Sequence, residues 1–327
     1  MKKSPFTIIA ACSALLIATS TPSRSCVCSF DSGFDIGGPA NTPDSPGGLV
    51  WTEYSFISQS RNWSGTSAAP AADNHHKLNQ TNWIIPGFQY FFNDQWGFSA
   101  TMPFGNRVHI HEHSHSSHET MDHGSMSMEH SMTKSERKAI KWWGLGDMRL
   151  NAYYTGFSPD MSTGINVGLQ IPTGDWRQPG VGRNMQLGTG SLDILAGFYH
   201  HGSILGHRDW NWFVSGQLDA PVVVQAGYRP GLLVDASTGV YYTGLEFGKL
   251  KVRPIGQVVF TNQASDSGPA ADSGNSGFQQ LLLSPGLELN YHPFRVYGNV
   301  ALPVVTNVVG NQLIAPCTVQ VVVSCAF

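Results

Sequence analysis

Segments in which apolar and polar residues alternate constrain the fold of this chain more than any other feature. In residues 161–171, Val167 and Leu169 share one face, whereas Asn166 and Gln170 share the other. Successive side chains of a β-strand point to opposite faces, so this pattern predicts a strand with one apolar and one polar face. Twelve such segments follow one another, near residues 48–59, 80–92, 95–103, 144–157, 161–171, 190–199, 208–221, 232–247, 250–260, 280–291, 294–303 and 316–327.

The connections between these segments alternate in length. The short ones fall near 93–94, 158–159, 200–207, 248–249 and 292–293. The long ones fall at 60–79, 104–143, 172–189, 222–231, 261–279 and 304–315. Bacterial outer-membrane barrels combine an even number of strands of about ten residues with short periplasmic turns and longer extracellular loops. We therefore predict an all-β chain that forms a transmembrane antiparallel β-barrel of about 12 strands, with both termini periplasmic.

Composition agrees with a barrel in contact with outer-membrane lipid. Only 13% of the residues are charged, 36 residues are glycine, and no apolar run after residue 25 is long enough for a membrane helix. A formal net charge of -3 argues against a nucleic-acid partner. The last strand also ends in an aromatic residue, Phe327, in phase with Val321 and Val323. This ending resembles the recognition signal of bacterial outer-membrane barrels.

One face of the alternating segments carries charges of both signs that a barrel would turn toward its lumen. These charges either pair across the lumen or line a polar path, and pairing is favoured because 12 strands leave limited room. The predicted lumen residues are Asp147, Arg149, Asn151, Asp193, Asp219, Glu246, Lys251, Arg253, Glu288 and Arg295.

The N-terminal region has the layout of a secretory signal peptide. Two lysines precede an apolar stretch at 5–18, and cleavage is expected after Ser20 or Ser25, so we assign the signal to 1–25. Lipidation at the following cysteine is an alternative. A Gly/Pro-rich lead at 26–47 is predicted to lie in the periplasm or to enter the barrel as a plug.

Four cysteines remain after the signal peptide, an even number for an oxidising compartment, so disulfides are expected. Cys26 and Cys28 are too close in sequence for a relaxed mutual bridge. They either pair elsewhere or provide a thiolate metal site, and the pairing of Cys317 and Cys325 is left open.

The second long connection contains a His/Met-rich tract, 109–132, with seven of the 13 histidines and four of the nine methionines. Imidazole and thioether together favour copper, and zinc or nickel are the alternatives. We expect a flexible extracellular arm within 104–143, although a solvated low-complexity loop would have the same composition. The predicted metal ligands are His109, His111, His113, His115, His118, Met121, His123, Met126, Met128, His130 and Met132.

Alternation of histidine from His109 to His115 would place four imidazoles on one side of an extended chain. A further pair, His75 and His76, lies in the first long connection and is expected to be solvated surface. The runs Met-Asp-His-Gly-Ser-Met at 121–126 and Met-Glu-His-Ser-Met at 128–132 resemble the repeated units of periplasmic and outer-membrane copper-resistance proteins. That resemblance implies a type of ligand and not a fold.

Three runs in the middle of the chain carry a second resemblance. They are Gly-Leu-Gly-Asp-Met-Arg-Leu at 144–150, Gly-Leu-Gln-Ile-Pro-Thr-Gly-Asp at 168–175 and Gly-Thr-Gly-Ser-Leu-Asp at 188–193. They are similar to outer-membrane proteins of the phenol-degradation meta-pathway transporter family, which belongs with fatty-acid-transporter-like barrels. The likeness extends in layout over 45–327, and it implies a barrel more firmly than it implies uptake of aromatic compounds.

Three functions are compatible with these observations. The first hypothesis is an outer-membrane barrel that binds copper or a related metal through its surface tract, for capture, uptake or tolerance. The second is a passive channel for small hydrophobic or aromatic solutes, and the third is a structural or adhesion barrel. The sequence has no nucleophile elbow, phosphate loop or helical zinc-protease motif, so we do not expect an enzyme.

Overall fold

The computed structural model describes residues 46–116 and 133–327, and the side chains of 113–116 and 133–135 are excluded from that description. The predicted signal peptide at 1–25 and nearly all of the lead at 26–47 lie outside these ranges. The strands are β1 (Gly47–Gln59), β2 (Arg61–Gly65), β3 (Ser67–Ala68), β4 (His76–Phe91), β5 (Trp96–Thr101), β6 (Phe104–Ser116), β7 (Thr133–Leu145), β8 (Met148–Tyr154), β9 (Thr163–Ile171), β10 (Leu192–Ile204), β11 (His207–Val223), β12 (Leu233–Tyr242), β13 (Leu245–Phe247), β14 (Leu250–Gln263), β15 (Phe278–Tyr291), β16 (Phe294–Ile314) and β17 (Thr318–Ala326).

Twelve of these strands close into an antiparallel barrel, which confirms the predicted fold and strand number. The wall runs β1, β4, β5, β8, β9, β10, β11, β12, β14, β15, β16 and β17 in neighbour order. β17 then pairs with β1, from Leu49 opposite Ala326 to Ile57 opposite Thr318. At the seam the Phe327 amide donates to the Gly48 carbonyl at 2.8 Å. All strand neighbours in this wall are hydrogen-bonded, so the barrel leaves no open sheet edge to face lipid.

The inner and outer faces follow the predicted alternation. On β9, Ile165, Val167 and Leu169 are 42%, 59% and 43% exposed, whereas Gln170 is buried. β11, which pairs with the next strand β10, turns Trp210 outward and Asp219 inward. Outward apolar and inward polar positions are the pattern of a barrel in a bilayer.

Beyond the barrel wall, β4, β6 and β7 form a three-stranded extension where a flexible loop was expected. β4 is long, so its first half pairs with β6 from Ile84 opposite Phe104 to His76 opposite His111. β6 also pairs with β7 along its whole length. Residues 104–116 and 133–143 of the predicted loop are therefore strands, and 117–132 lie outside the described residues. The alternating histidines belong to the strand pattern itself.

The extension lies outside the lipid-facing belt. The exposed apolar side chains on its outer face lie where it joins the barrel; they are Ile84, Phe104 and Trp143. On the same face of β7, farther from the barrel than Trp143, the exposed positions include Lys141 and Arg137. Charged outer positions of this kind are unfavourable in the hydrocarbon region, so the residues beyond Phe104 on β6 are not membrane-spanning.

The two ends of the barrel differ as predicted. One end, here called the short-turn end, carries the connections 92–95, 155–162, 205–206, 248–249 and 292–293. The opposite end, called the long-loop end, carries 172–191, 224–232 and 264–277. The long connection predicted at 304–315 is wrong, because β16 continues to Ile314 and pairs there with β2, so that 315–317 connect β16 to β17. The connection predicted at 60–79 contains β2, β3 and the start of β4. The connection predicted at 200–207 is shorter than expected, because β10 and β11 continue to a tight turn at Leu205 and Gly206.

Among the clusters of buried apolar residues in the described part of the chain, two lie toward opposite ends of the barrel interior. The base cluster, near the short-turn end, consists of Trp51, Phe213, Tyr241, Ile255, Tyr297 and Val322. The mouth cluster, near the long-loop end, consists of Ile57, Trp83, Ile85, Trp142 and Leu187. These side chains alternate with lipid-facing residues, so they point into the lumen.

Cys317 and Cys325 do not bridge to each other. Cys317 is a free, half-buried thiol. Cys325 is disulfide-bonded, and its partner lies outside the described residues. Within residues 46–116 and 133–327 the helices are short 3-10 turns, and none is long and apolar enough to cross a membrane.

Candidate functional site

The connection between β9 and β10, residues 172–191, folds into the long-loop end of the lumen; we call it the inner loop. Asp147 holds both ends of this loop. Its carboxylate accepts hydrogen bonds from the Gly174 amide at 2.9 Å, the Thr189 amide at 2.7 Å and the Thr189 hydroxyl at 2.6 Å. A Cβ on Gly188 would lie 2.6 Å from the Gly174 carbonyl carbon, so the two ends cross where only glycine fits.

The tip of the inner loop is fixed to the extension by Arg107 on β6. The guanidinium of Arg107 donates to the Met185 carbonyl at 2.7 Å and to the Gln186 carbonyl at 2.9 Å. Its third hydrogen bond goes to the Thr81 hydroxyl on β4 at 2.8 Å. The next loop residue, Leu187, packs into the mouth cluster. The extension is therefore the wall against which the inner loop rests.

Ring stacking joins the inner loop to two other connections. The Arg183 guanidinium lies 4.4 Å from the Trp176 ring centroid and 4.9 Å from that of Tyr228, in connection 224–232. Tyr228 in turn donates to Asp266 of connection 264–277 at 2.9 Å. Burial raises the pKa of the Asp266 carboxyl, although hydrogen bonds from Gly231 and Tyr228 act against this. Together the three connections form a cap over the lumen.

A cavity of about 110 Å³ lies beneath this cap. Its walls carry charges of both signs, which belong to Asp147, Arg149, Arg183, Asp193 and Asp219. A space of this size and polarity can hold several water molecules or a small polar group.

The charged groups of the cavity have charged or polar partners, but Arg149 Nη1, Arg183 Nε and Asp219 Oδ1 have no hydrogen-bond partner among the described residues. Arg149 donates to Asp219 at 2.8 Å, and both side chains are nearly inaccessible to solvent. Asp193 accepts from the Ser191 hydroxyl at 2.6 Å and from the Gln170 amide at 3.0 Å. The cavity is therefore a pre-organised polar chamber.

The predicted lumen residues are confirmed in part. Asp147, Arg149, Asp193 and Asp219 line the cavity. Arg253 donates to the fully buried Glu288 at 3.1 Å, so the expected pairing of opposite charges occurs there too. Asn151 and Arg295 are half-buried on inward-facing positions of β8 and β16.

Glu246 and Lys251 are not lumen residues. They pair with each other at 2.8 Å with side chains about half exposed. β13 follows β12 along β14, and Lys251 also pairs with Asn290 of β15, so these residues lie on the hairpin at the short-turn rim of the wall. The alternation continues into this hairpin, which is why the sequence pattern alone placed them in the lumen.

The predicted metal ligands are described only at the start of the tract. His109 is buried and His111 half-buried on the same face of β6. His113 and His115 lie in the same strand, but their side chains are outside the description. The remaining predicted ligands lie outside the described residues: His118, Met121, His123, Met126, Met128, His130 and Met132. The copper prediction for the tract as a whole therefore stays a prediction.

His76 differs from the solvated surface residue that was expected. Its Nδ1 atom lies 3.2 Å from Nε2 of His109, and the two ring centroids are 4.9 Å apart. His109 also stacks on His111, with ring centroids 5.4 Å apart. Burial, with smaller contributions from nearby cationic groups, lowers the pKa of His109 to about 3. No group of three or more His, Cys, Asp or Glu side chains in the described part of the chain is arranged to hold a metal ion.

The sequence reasoning missed several residues of the site. Arg107 lies two residues before the His/Met-rich tract and was not singled out, although it is almost fully buried. Phe213 and Tyr297 occupy inward positions where a polar residue was expected. An apolar residue out of phase with its neighbours on the lumen face was the signal that could have identified them.

No family model and no curated protein sequence matches the chain. Among solved structures, the COG4313 outer membrane channel from Pseudomonas putida F1 is similar with a TM-score of 0.60 and 10% identity, over 88% of this chain and 99% of that chain. The β domain of the Bordetella autotransporter BrkA has a TM-score of 0.48 and 10% identity, over 86% of this chain and 100% of that chain. The P. putida toluene transporter TodX has a TM-score of 0.41 and 10% identity, over 89% of this chain and 93% of that chain.

The first of these likenesses shows that the chain has the fold of an outer-membrane β-barrel. The other two have TM-scores too low to add to this conclusion. Membership of the phenol-degradation family, as the sequence runs suggested, stays a prediction.

Proposed function

We propose that the protein is a passive outer-membrane channel for small solutes that contain an apolar or aromatic part. The observation that carries this proposal is the apolar lining of the lumen at the base cluster. Barrel interiors in the outer membrane are ordinarily polar, because they hold water. Here Phe213, Ile255 and Val322 point inward among polar residues. Inward apolar side chains of this kind favour solutes that have an apolar part over small ions.

The order of the two regions supports the same function. A solute that enters at the long-loop end and passes the inner loop meets the polar cavity before it meets the base cluster. The cavity offers donors and acceptors for one end of a small molecule, and the cluster offers contact for an apolar part. The name of the similar barrel from P. putida F1, an outer membrane channel, agrees with transport. In this proposal the long-loop end is extracellular, as the loop lengths of bacterial barrels require.

Preference for an aromatic solute is the first test. Proteoliposomes containing the mature protein are placed in iso-osmotic L-phenylalanine or L-glutamine, which have the same zwitterionic end and cross lipid slowly. We expect swelling to be faster with phenylalanine, although it is the larger solute, because its ring contacts the base cluster. Faster entry of glutamine, or no entry of either above empty liposomes, would refute the proposed function.

Phe213→Ala tests the base cluster directly. Removing the inward ring widens the lumen, so we expect entry of both amino acids to increase severalfold and the preference for phenylalanine to decrease. Phe198→Ala is the matched control, since Phe198 is on the adjacent strand β10 but is 50% exposed on the outer face. The control should leave both rates unchanged. Equal effects of the two substitutions would show that permeation does not depend on the base cluster.

Metal capture by the His/Met-rich tract is a separate hypothesis. It is compatible with a channel, since β6 and β7, the strands that flank residues 117–132 in the sequence, lie at the long-loop end. Titration of the protein with Cu(I), Cu(II), Zn(II) and Ni(II), beside a variant in which residues 117–132 are replaced by a short Gly/Ser linker, tests it without removing His109 from β6. Unchanged metal binding in that variant would exclude the part of the tract beyond β6 as the ligand.

A further inference from the structure

Two imidazoles from different strands meet at the long-loop end of the lumen. His76 begins β4, and His109 lies on the inner face of β6, two residues beyond Arg107. His109 is 2% exposed. Their facing atoms, Nδ1 of His76 and Nε2 of His109, are 3.2 Å apart. Because the partners come from two hydrogen-bonded strands, their backbones are fixed and the distance does not depend on a loop.

Asn79 determines which nitrogen of His109 is free. Nδ1 of His109 lies 2.7 Å from the side-chain oxygen of Asn79, which can only accept a hydrogen bond. His109 must therefore carry its proton on Nδ1 and present the lone pair of Nε2 toward His76. A histidine whose other ring nitrogen donates to an amide or carboxylate oxygen is the arrangement that orients imidazole ligands in metal sites.

The separation of the two nitrogens suits a shared ion. Imidazole nitrogens bind zinc at about 2.0 to 2.1 Å, which puts two ligands of a tetrahedral ion about 3.3 Å apart. The observed 3.2 Å is close to this value. Without a metal, a proton on His76 Nδ1 makes a hydrogen bond across the same gap, so an ion would replace a proton and the side chains would move little.

A third imidazole is within reach of the same position. His111 is directly opposite His76 in the strand register and on the same face of β6 as His109. Its ring stacks on that of His109, so rotation of its side chain is needed before it can bind. If His111 does not rotate, water molecules complete the coordination of the ion, because the described residues offer no third ligand already in place.

We propose that His76 and His109 form a binding site for a divalent transition-metal ion, with Asn79 as the residue that orients His109. Imidazole favours zinc, nickel and copper(II) among such ions. This site shares only His109 with the His/Met-rich tract; it differs from the part of the tract beyond β6, because its two ligands belong to paired strands and it contains no thioether.

Zinc-soaked crystals of the full mature protein, measured at the zinc absorption edge, test the location. We expect an anomalous peak within bonding distance of His76 Nδ1 and His109 Nε2 in the wild type. The peak should be absent in His76→Ala and in His109→Gln, and present in His207→Ala, whose imidazole is at the short-turn end. A map without a peak between the two nitrogens in the wild type would overturn the proposal.

Calorimetric titration with Zn(II) and Ni(II) gives a second measurement on the same variants. His76→Ala and His109→Gln should each lose one equivalent of bound metal, whatever the tract binds. Asn79→Ala should keep the stoichiometry but weaken this site about 10- to 100-fold, the usual cost of losing a residue that orients a ligand. Heat-modifiable migration on gels shows whether each variant is folded. Folded variants with unchanged stoichiometry would also overturn the proposal.

Discussion

A variant in which residues 177–187 are replaced by a short Gly/Ser linker should show a severalfold increase in single-channel conductance. The inner loop occupies the lumen between the cavity and the mouth cluster, and Leu187 is buried against Trp83 there. Its removal opens the long-loop end without touching a strand of the wall. Conductance in planar bilayers, recorded with the same salt on both sides, measures the change.

Connection 264–277 provides the control for this replacement. Shortening it by a similar length removes part of the cap but leaves the lumen filled by the inner loop, so conductance should change little. If both replacements raise conductance equally, general disturbance of the cap and not the inner loop is responsible. If the inner-loop replacement leaves conductance at the wild-type level, the loop does not close the channel.

The substitution Arg107→Met tests whether conductance depends on the position of the inner loop, because it leaves the length of the loop unchanged. Arg107→Met removes the hydrogen bonds to the Met185 and Gln186 carbonyls but keeps the loop sequence intact. We expect conductance between that of the wild type and that of the linker variant, with frequent opening events, because Asp147 still holds the loop ends. Arg61→Met makes the same chemical change at an exposed position of β2 and should leave the recordings unchanged.

The wall of the barrel could be predicted because its physical requirements repeat along the chain. Every membrane-spanning strand must show one face to lipid, so the period of two recurs in all 12 wall strands, and short turns such as His292–Pro293 mark the ends. The sequence pattern did not predict the extension, because histidine is neither clearly apolar nor clearly charged. Alternating histidines therefore do not distinguish the two faces of a strand. The pairing of His109 opposite Asn79 depends on β4, and not on any local property of residues 104–116.

Of the residues in the candidate site, only the charged ones on the strands could be predicted from the sequence. Asp147 and Arg149 followed from alternation, but the role of Asp147 as a clamp depends on Gly174 and Thr189, which reach it through the fold of the inner loop. The connection at 172–191 looked like a surface loop, since Pro, Gly and Gln dominate it. Nothing local indicates that such a loop turns inward. That outcome depends on Arg107, a residue far away in sequence.

Arg149→Met should have the largest effect on stability. Arg149 and Asp219 are paired at 2.8 Å, with side chains only 7% and 8% exposed. Asp193 is close enough to interact electrostatically with both. Removing the cation leaves carboxylates in a buried chamber without their partner, and breaking a buried pair in this way costs about 3 to 5 kcal/mol. Urea unfolding in lipid vesicles, followed by tryptophan fluorescence, measures the loss.

Lys251→Met is the matched control, because it breaks an ion pair of the same length in a different environment. Lys251 and Glu246 are also 2.8 Å apart, but their side chains are 49% and 54% exposed. Exposed pairs contribute about 0 to 1 kcal/mol, so this variant should unfold almost like the wild type. The double variant Arg149→Met/Asp219→Leu should recover part of the stability lost in Arg149→Met, because no unpaired charge is left at that position. If Arg149→Met costs no more than Lys251→Met, water reaches the Arg149–Asp219 pair, and the cavity beneath the cap is open to solvent in the folded protein.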